Sequence, residues 1–238
     1  MDQNSPICAI IGAGPGLGLA LAYRFAKGYR LALVARNQSF LSALAGEIEN
    51  ANGRALAVAA NVIEGAEIAA AFERIRNELG PVQVMIYNAA MRPFGRLMET
   101  KPSTFENTWR VNTFGAFLCA QQAVPDMIKI GRGTILFTGA TAGVKPRAAS
   151  ASFAPSKFAL RGLVQVLARD LGPQGIHVAY VNVDGAIDNP RTRERVPDLK
   201  DEDALKPAAI AETYWHLAHQ DRSAWTNEID VRPFKENF

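Results

Sequence analysis

Apolar residues along this chain fall in short unbroken runs instead of alternating with polar ones. Ile7 to Ile11, Arg30 to Ala35, Ala55 to Ala60, Val82 to Tyr87, Gly133 to Thr138 and His177 to Val183 are the clearest. Continuous runs of this length suit β-strands covered on both faces. Between them, residues 16–28, 38–52, 64–79, 104–130 and 153–172 carry helical spacing, 206–219 predicts a last helix, and Glu228 to Val231 a last short strand. Strands alternating with helices predict right-handed crossovers, hence an α/β fold: a doubly wound parallel sheet of about seven strands with helices on both faces. No internal repeat or low-complexity linker breaks the pattern, so a single domain over 1–238 is expected. The exception is 189–207, charged and punctuated by Pro190, Pro197 and Pro207, which predicts a flexible loop or short helical lid; a solvated connection is the alternative.

Composition narrows the picture by exclusion. The 238 residues suffice for one large α/β domain, and 48% hydrophobic with 21% charged is ordinary for a soluble chain. A net charge of +3, with both signs interspersed, argues against nucleic acid or an anionic membrane as partner. Met1 to Pro6 is polar without a basic start, so no signal peptide is expected, and no apolar run reaches membrane-spanning length. Cys8 and Cys119 fall in an apolar strand and an apolar helix; buried reduced thiols fit a cytoplasmic chain. His177, His216 and His219 are scattered without a third ligand beside the last two, so no metal site is expected.

The first chemical feature is the turn after the first strand, Gly12-Ala13-Gly14-Pro15-Gly16-Leu17-Gly18. Its spacing is Gly-x-x-x-Gly-x-Gly through Gly12, Gly16 and Gly18. Glycines there let backbone approach a pyrophosphate and present helix amides to anionic oxygens. A turn that merely packs strand on helix is the alternative, but the first βα turn is where a dinucleotide-binding sheet puts its phosphates. The second strand ends at Ala35-Arg36-Asn37. An acidic residue here would bind the ribose 2′-hydroxyl of NAD; Arg36 instead suits a 2′-phosphate, so NADP(H) is preferred over NAD(H). A solvent-facing or adenine-stacked arginine is the competing reading.

Further motifs fall in an order and spacing that resemble the short-chain dehydrogenase/reductase family over nearly the whole chain. Asn61-Val62 follows the third strand, Tyr87-Asn88-Ala89-Ala90 ends the fourth, Val111-Asn112 lies in the long helix, Phe153-Ala154-Pro155-Ser156-Lys157 opens the next, and Asp184-Gly185-Ala186-Ile187 follows the sixth strand. The resemblance implies a Rossmann-like domain that transfers hydride between nicotinamide and a carbonyl or alcohol carbon. It places Asn61 and Val62 beside the adenine, Asn88, Ala89 and Ala90 beside the cofactor ribose, and Gly185 with Ile187 at the nicotinamide amide. It makes Asn112 the holder of a relay water, and Lys157 a ribose ligand that tunes the proton donor. Gly12, Gly14, Gly16, Leu17 and Gly18 would hold the phosphates. It also implies a homodimer or homotetramer built on the helices at 104–130 and 153–172, where Trp109, Phe114, Phe117, Leu118, Phe158 and Leu167 are apolar.

The departures from that family concern proton chemistry. Its tyrosine position is Phe153, a ring without a hydroxyl, and its serine position, aligned on Gly143, is Ala140. No tyrosine lies between Asn88 and Ala179. Thr138, Thr141, Ser150, Ser152 and Asp184 are substitute candidates, of which Thr141 and Asp184 stand nearest the expected chemistry. Thr141 capping its own turn and Asp184 holding loop amides are the plain alternatives. Lys157, on a largely apolar helix, would have its pKa lowered by burial and would itself serve as a proton donor. Two readings follow: an oxidoreductase acting on a small-molecule substrate through an altered relay, or a non-catalytic NADP(H)-binding sensor, regulatory subunit or scaffold. The lid at 189–207 would shape the substrate side, with Trp215, Trp225 and Phe234 either lining the pocket or packing beneath it.

Overall fold

The computed structural model describes residues 4–235. Seven parallel strands form one sheet in the order β3-β2-β1-β4-β5-β6-β9, with β1 Ile7–Ile11, β2 Arg30–Ala35, β3 Ala55–Ala59, β4 Val84–Tyr87, β5 Gly133–Thr138, β6 Ile176–Val183 and β9 Glu228–Val231. The chain starts in the middle, winds outward through β3, returns, and winds the other way from β4. The reversal lies between β1 and β4, whose carboxyl ends therefore diverge into the crevice where such sheets bind ligands.

Alternation along each strand feeds two separate cores. Ile7, Ala9 and Ile11 point to a face covered by α3 (Gly65–Glu78), α5 (Gly115–Ile130) and α6 (Phe153–Leu171). Cys8 and Ile10 point to the other face, covered by α1 (Leu17–Phe25), α2 (Gln38–Asn50) and α8 (Pro207–Ala218). Both thiols are buried and free. On the α8 side, Trp215 packs its ring on Phe25 and Tyr29. Trp225 stacks on His177, which lies near the amino end of β6, so both tryptophans pack in the body of the fold away from the strand ends that carry the glycine turn; Phe234 is exposed. Among the described residues no helix is long and apolar enough to cross a membrane, and no cluster of three or more His, Cys, Asp or Glu could hold a metal ion.

The expected unbroken helix over 104–130 is corrected. α4 (Pro102–Trp109) runs into a π turn at Arg110–Phe114 before α5 begins. Side chains explain the wider turn. The Tyr87 hydroxyl donates to the Val111 carbonyl at 2.5 Å, and Arg110 donates to the Ile63 carbonyl at 3.3 Å. Gly115 makes the approach feasible, since a Cβ there would stand 2.6 Å from the Tyr87 hydroxyl and 2.8 Å from the Val62 carbonyl. Apolar periodicity carries no sign of such a contact.

Residues 189–207 fold into the short helix α7 (Pro190–Arg195) and a two-residue strand, β8 (Ala204–Leu205), which pairs with β7 (Ala186–Ile187). Arg193 holds this segment together: it pairs with Asp188 at 2.7 Å and Asp201 at 2.6 Å and donates to the Leu199 carbonyl.

Two glycines make contrasting predictions. Gly12 has φ 93°, and a Cβ there would lie 2.4 Å from the Ala89 nitrogen; Gly46, inside α2, has nothing within 4 Å of that position. In urea denaturation Gly12→Ala is expected to cost more than about 2 kcal/mol, and Gly46→Ala to add about 0.5–1 kcal/mol.

Candidate functional site

The sequence-predicted residues converge at the carboxyl ends of the strands. Gly12 to Gly18 follow β1, Arg36 follows β2, Asn61 and Val62 follow β3, and Asn88 to Ala90 follow β4. Ala140 and Thr141 follow β5, and Asp184 to Ile187 follow β6. Phe153 and Lys157 enter from the first turns of α6, and Asn112 from the π turn.

The glycine turn is fixed from below. The Gly12 amide donates to the Val34 carbonyl at 2.7 Å, and the Asn88 side-chain amide donates to the Gly12 carbonyl at 3.0 Å. Gly18 stands so close that a Cβ would be 2.4 Å from the Gly12 carbonyl oxygen. The turn delivers the chain into α1 with no side chain capping the helix and no acidic residue in its first turn. An uncapped helix start with its positive dipole end facing the crevice suits anionic oxygens. Arg36 is exposed, and among the described residues nothing pairs with it. These features fit a dinucleotide cofactor. The Asn61 backbone amide donates to Glu67 at 2.8 Å, and Val62 beside it is buried. Asn189, which caps α7, stands so close that a Cβ on Gly16 would meet its Cβ at 3.4 Å, so the start of the 189–207 segment lies against the turn.

Asn88 also links inward. Its carbonyl oxygen accepts from Thr138 at 3.2 Å, and Thr138 shares a second bond of 2.8 Å with the Tyr214 hydroxyl from α8. The Thr138 hydroxyl is therefore spoken for, which removes it from the substitute proton donors. The Thr138 carbonyl accepts from Lys157 Nζ at 2.8 Å. Lys157 is 2% exposed and has no carboxylate partner among the described residues. Burial pushes its pKa down to about 7, because a charged ammonium loses its water there.

Phe153 and Ala140 do lie together. Phe153, Ala142 and Ala154 form a small buried cluster, and Ala140 packs against it. Lys157 Nζ stands 5.8 Å from the Phe153 ring centre. The wall that a hydroxyl pair would make polar is apolar here. Asn112 is completely buried, and its amide is largely consumed. Oδ1 accepts from the Met91 amide at 2.8 Å, and Nδ2 donates to the Met91 carbonyl at 2.9 Å and to Ser156 Oγ at 2.8 Å. One lone pair on Oδ1 is left for any further donor. Asp184 is buried with Lys145 at 3.3 Å and Arg232 at 3.9 Å from Oδ2, so the end of β6 is tied to the turn after β5 and to the segment after β9.

One buried hydroxyl escaped the sequence reading. Tyr180, on β6, has no partner at good hydrogen-bond geometry, and a Cβ on Gly143 would meet it at 2.3 Å while lying 3.3 Å from the Lys157 Cβ. Burial pushes it up to about 12, with the Ala140 backbone partly offsetting. Strand alternation puts Tyr180 on the α6 face, a signal the sequence does carry, but nothing local marks its hydroxyl as sitting under the turn after β5.

The buried lysine gives a pH signature. The unfolded chain holds the lysine proton up to the ordinary value of 10.5, the folded apoprotein only to about 7. Between those values the unfolded state binds more protons, so unfolding free energy should rise with pH, by up to about 1.4 kcal/mol per unit. Lys157→Met should lack that rise in parallel denaturation series; identical slopes would mean the amine titrates normally.

Known proteins match this arrangement. Residues 6–200 match the family described as short chain dehydrogenase. The human 3-oxoacyl-[acyl-carrier-protein] reductase is 30% identical over 201 residues, covering 84% of this chain and 81% of its own. The crystal structure of a short-chain dehydrogenase from Rhodopseudomonas palustris is 32% identical with a TM-score of 0.84, over 96% of this chain and 99% of that one. A metagenomic short-chain oxidoreductase in complex with NADP is 28% identical with a TM-score of 0.85, over 99% and 100%. With the sheet order, the glycine turn and the buried lysine already in place, the chain belongs to the short-chain dehydrogenase/reductase family of oxidoreductases.

Proposed function

We propose that the chain is an NADP(H)-dependent oxidoreductase of a small carbonyl or alcohol substrate, working with an altered proton relay. The observation that carries the reading is Lys157. A lysine this buried, without an acid beside it, needs polar partners beyond the single Thr138 carbonyl, and the hydroxyls of a nicotinamide ribose supply them. When bound, the cofactor supplies the hydride. The first-turn amides of α1 orient its pyrophosphate, and unpaired Arg36 favours the 2′-phosphate. The NADP found in the metagenomic relative supports that choice.

Without the family's tyrosine, the proton must come from elsewhere. With a pKa near 7, Lys157 holds both forms at neutral pH, and its ammonium donates from Nζ to the substrate oxygen. Phe153 and Ala140 keep water from the reacting carbon, and Asn112 fixes the Met91 loop beside them. General acid catalysis is typically worth ~10²–10⁴-fold, and with no hydroxyl at Phe153 or Ala140 to help polarise the carbonyl, an electron-poor carbonyl suits this site better than a plain ketone. The lid at 189–207 closes the substrate side. The stacked and outward-facing Trp109, Phe114 and Phe117, centres 5.8 and 6.5 Å apart, together with exposed Phe158, suit burial in a homodimer or homotetramer; two free buried thiols suit a cytoplasmic protein.

A second reading has its own observation. The packing of Ala140 against Phe153 is an apolar repair of the missing pair, as a non-catalytic NADP(H) sensor or regulatory subunit would tolerate. The double variant Ala140→Ser/Phe153→Tyr separates the two: activity only in the variant supports the sensor, whereas turnover in the native chain removes it.

Titration with NADPH and NADH, followed by nicotinamide fluorescence, should show tighter binding of NADPH and a loss of at least tenfold in Arg36→Ala; binding of neither would end the oxidoreductase reading. Lys157→Ala should abolish turnover of activated carbonyls; survival of both turnover and cofactor affinity would remove Lys157 from the relay. Light scattering on a size-exclusion column should give a dimer or tetramer mass, and a clean monomer would remove the oligomer.

A further inference from the structure

Two arginines from separate segments gather on the Phe94 ring, one of them also over Phe153, and a third, Arg147, is near enough for its charge to act on them. Arg92, in the loop after β4, holds its guanidinium 5.1 Å from the Phe94 ring centre and 5.7 Å from that of Phe153. Arg195, at the end of α7, holds its guanidinium 5.2 Å from the same Phe94 ring centre. Arg147 lies in the turn between β5 and α6. That turn is stitched to the Phe94 segment by backbone bonds from the Gly95 amide to Ala149 at 3.1 Å and from the Ala151 amide to Gly95 at 3.2 Å. The Arg92 pKa is lowered by burial first, then by the like charges of Arg195 and Arg147.

This concentration of charge is unbalanced. Among the described residues no carboxylate pairs with Arg92, Arg147 or Arg195. The neighbouring Arg193 shows the contrast, since Asp188, Asp201 and the Leu199 carbonyl together engage all three of its nitrogens. Arginines stacked on rings keep their N–H edges open, and planar forks of this kind bind carboxylate and phosphate oxygens in pairs. All three are exposed, so water and salt screen part of their mutual repulsion, and an anion between them would relieve the rest.

We propose that Arg92, Arg147 and Arg195 form a clamp for a carboxylate or phosphate on the substrate, making the substrate class a carbonyl compound with an anionic tail. The link from clamp to reacting carbonyl rests on the oxidoreductase reading, because Phe153 is what places the clamp beside Lys157. Anion binding itself does not depend on that reading.

The test is calorimetric titration at low salt, with and without saturating NADPH, using three probes that share a ring: benzoate, phenyl phosphate and neutral benzyl alcohol. At least one anion should bind tenfold or more tightly than benzyl alcohol, and the Arg92→Gln/Arg195→Gln variant should lose tenfold or more while its NADPH affinity is unchanged. Arg147→Gln, which leaves both ring stacks intact, should weaken the same probe on its own and serves if the double variant fails to fold. A preference for benzoate assigns a carboxylate, and one for phenyl phosphate a phosphate. Equal binding of all three probes, or unchanged anion affinity in the variants, overturns the clamp. Anion binding in a protein that never takes NADPH would leave the clamp standing and remove the oxidoreductase reading instead.

Discussion

The bond from the Asn88 side chain to the Gly12 carbonyl is the point on which the site depends. It joins the first βα turn to the end of β4 across the place where the winding of the sheet reverses. The same side chain accepts from Thr138, whose carbonyl holds Lys157 and whose hydroxyl meets Tyr214. One asparagine thus sets the position of the phosphate turn, the fifth strand and the buried amine together, and connects helices on opposite faces of the sheet. Buried polar networks of this kind rigidify a site when every member is satisfied, and here each bond is made inside a shell of packed apolar residues.

Phe153 and Ala140 stand apart from this frame. Neither position takes part in the Asn88 network, and the two side chains simply pack against Ala142 and Ala154. On the proposed reading, the positions where the family's hydroxyls would stand lie outside the network that holds the glycine turn, so changes at the first need not disturb the second. The oxidoreductase and sensor readings differ only on the first of these, and they share the second.

The sheet was legible because burial on both faces leaves unbroken apolar runs: β1, β2, β5 and β9 begin and end where the pattern predicts. The glycine turn was legible because close backbone approach demands glycine locally. The buried Lys157 was legible from its apolar helix. What escaped depends on partners distant in sequence. The π turn arises from Tyr87 and Gly115 meeting across the core, the Tyr180 hydroxyl arrives under Gly143 from another strand, and the arginine cluster assembles from the loops after β4 and β5 and the end of α7. Pattern along a chain reports which face is buried; it does not report which loops converge.

The π turn also constrains how the chain can change in length. A single extra residue in a helix rotates everything after it by about 100° about the helix axis. Arg110 to Phe114 absorb such an offset, so that Thr108 before the turn and Ala116 and Cys119 after it all face inward. Removing one residue from this stretch would restore regular hydrogen bonding, yet swing either α4 or the whole buried stripe of α5 out of register with the sheet. Asn112 would lose Met91 and Ser156 in the same movement. The segment is thus open to substitution of its outward side chains and closed to deletion.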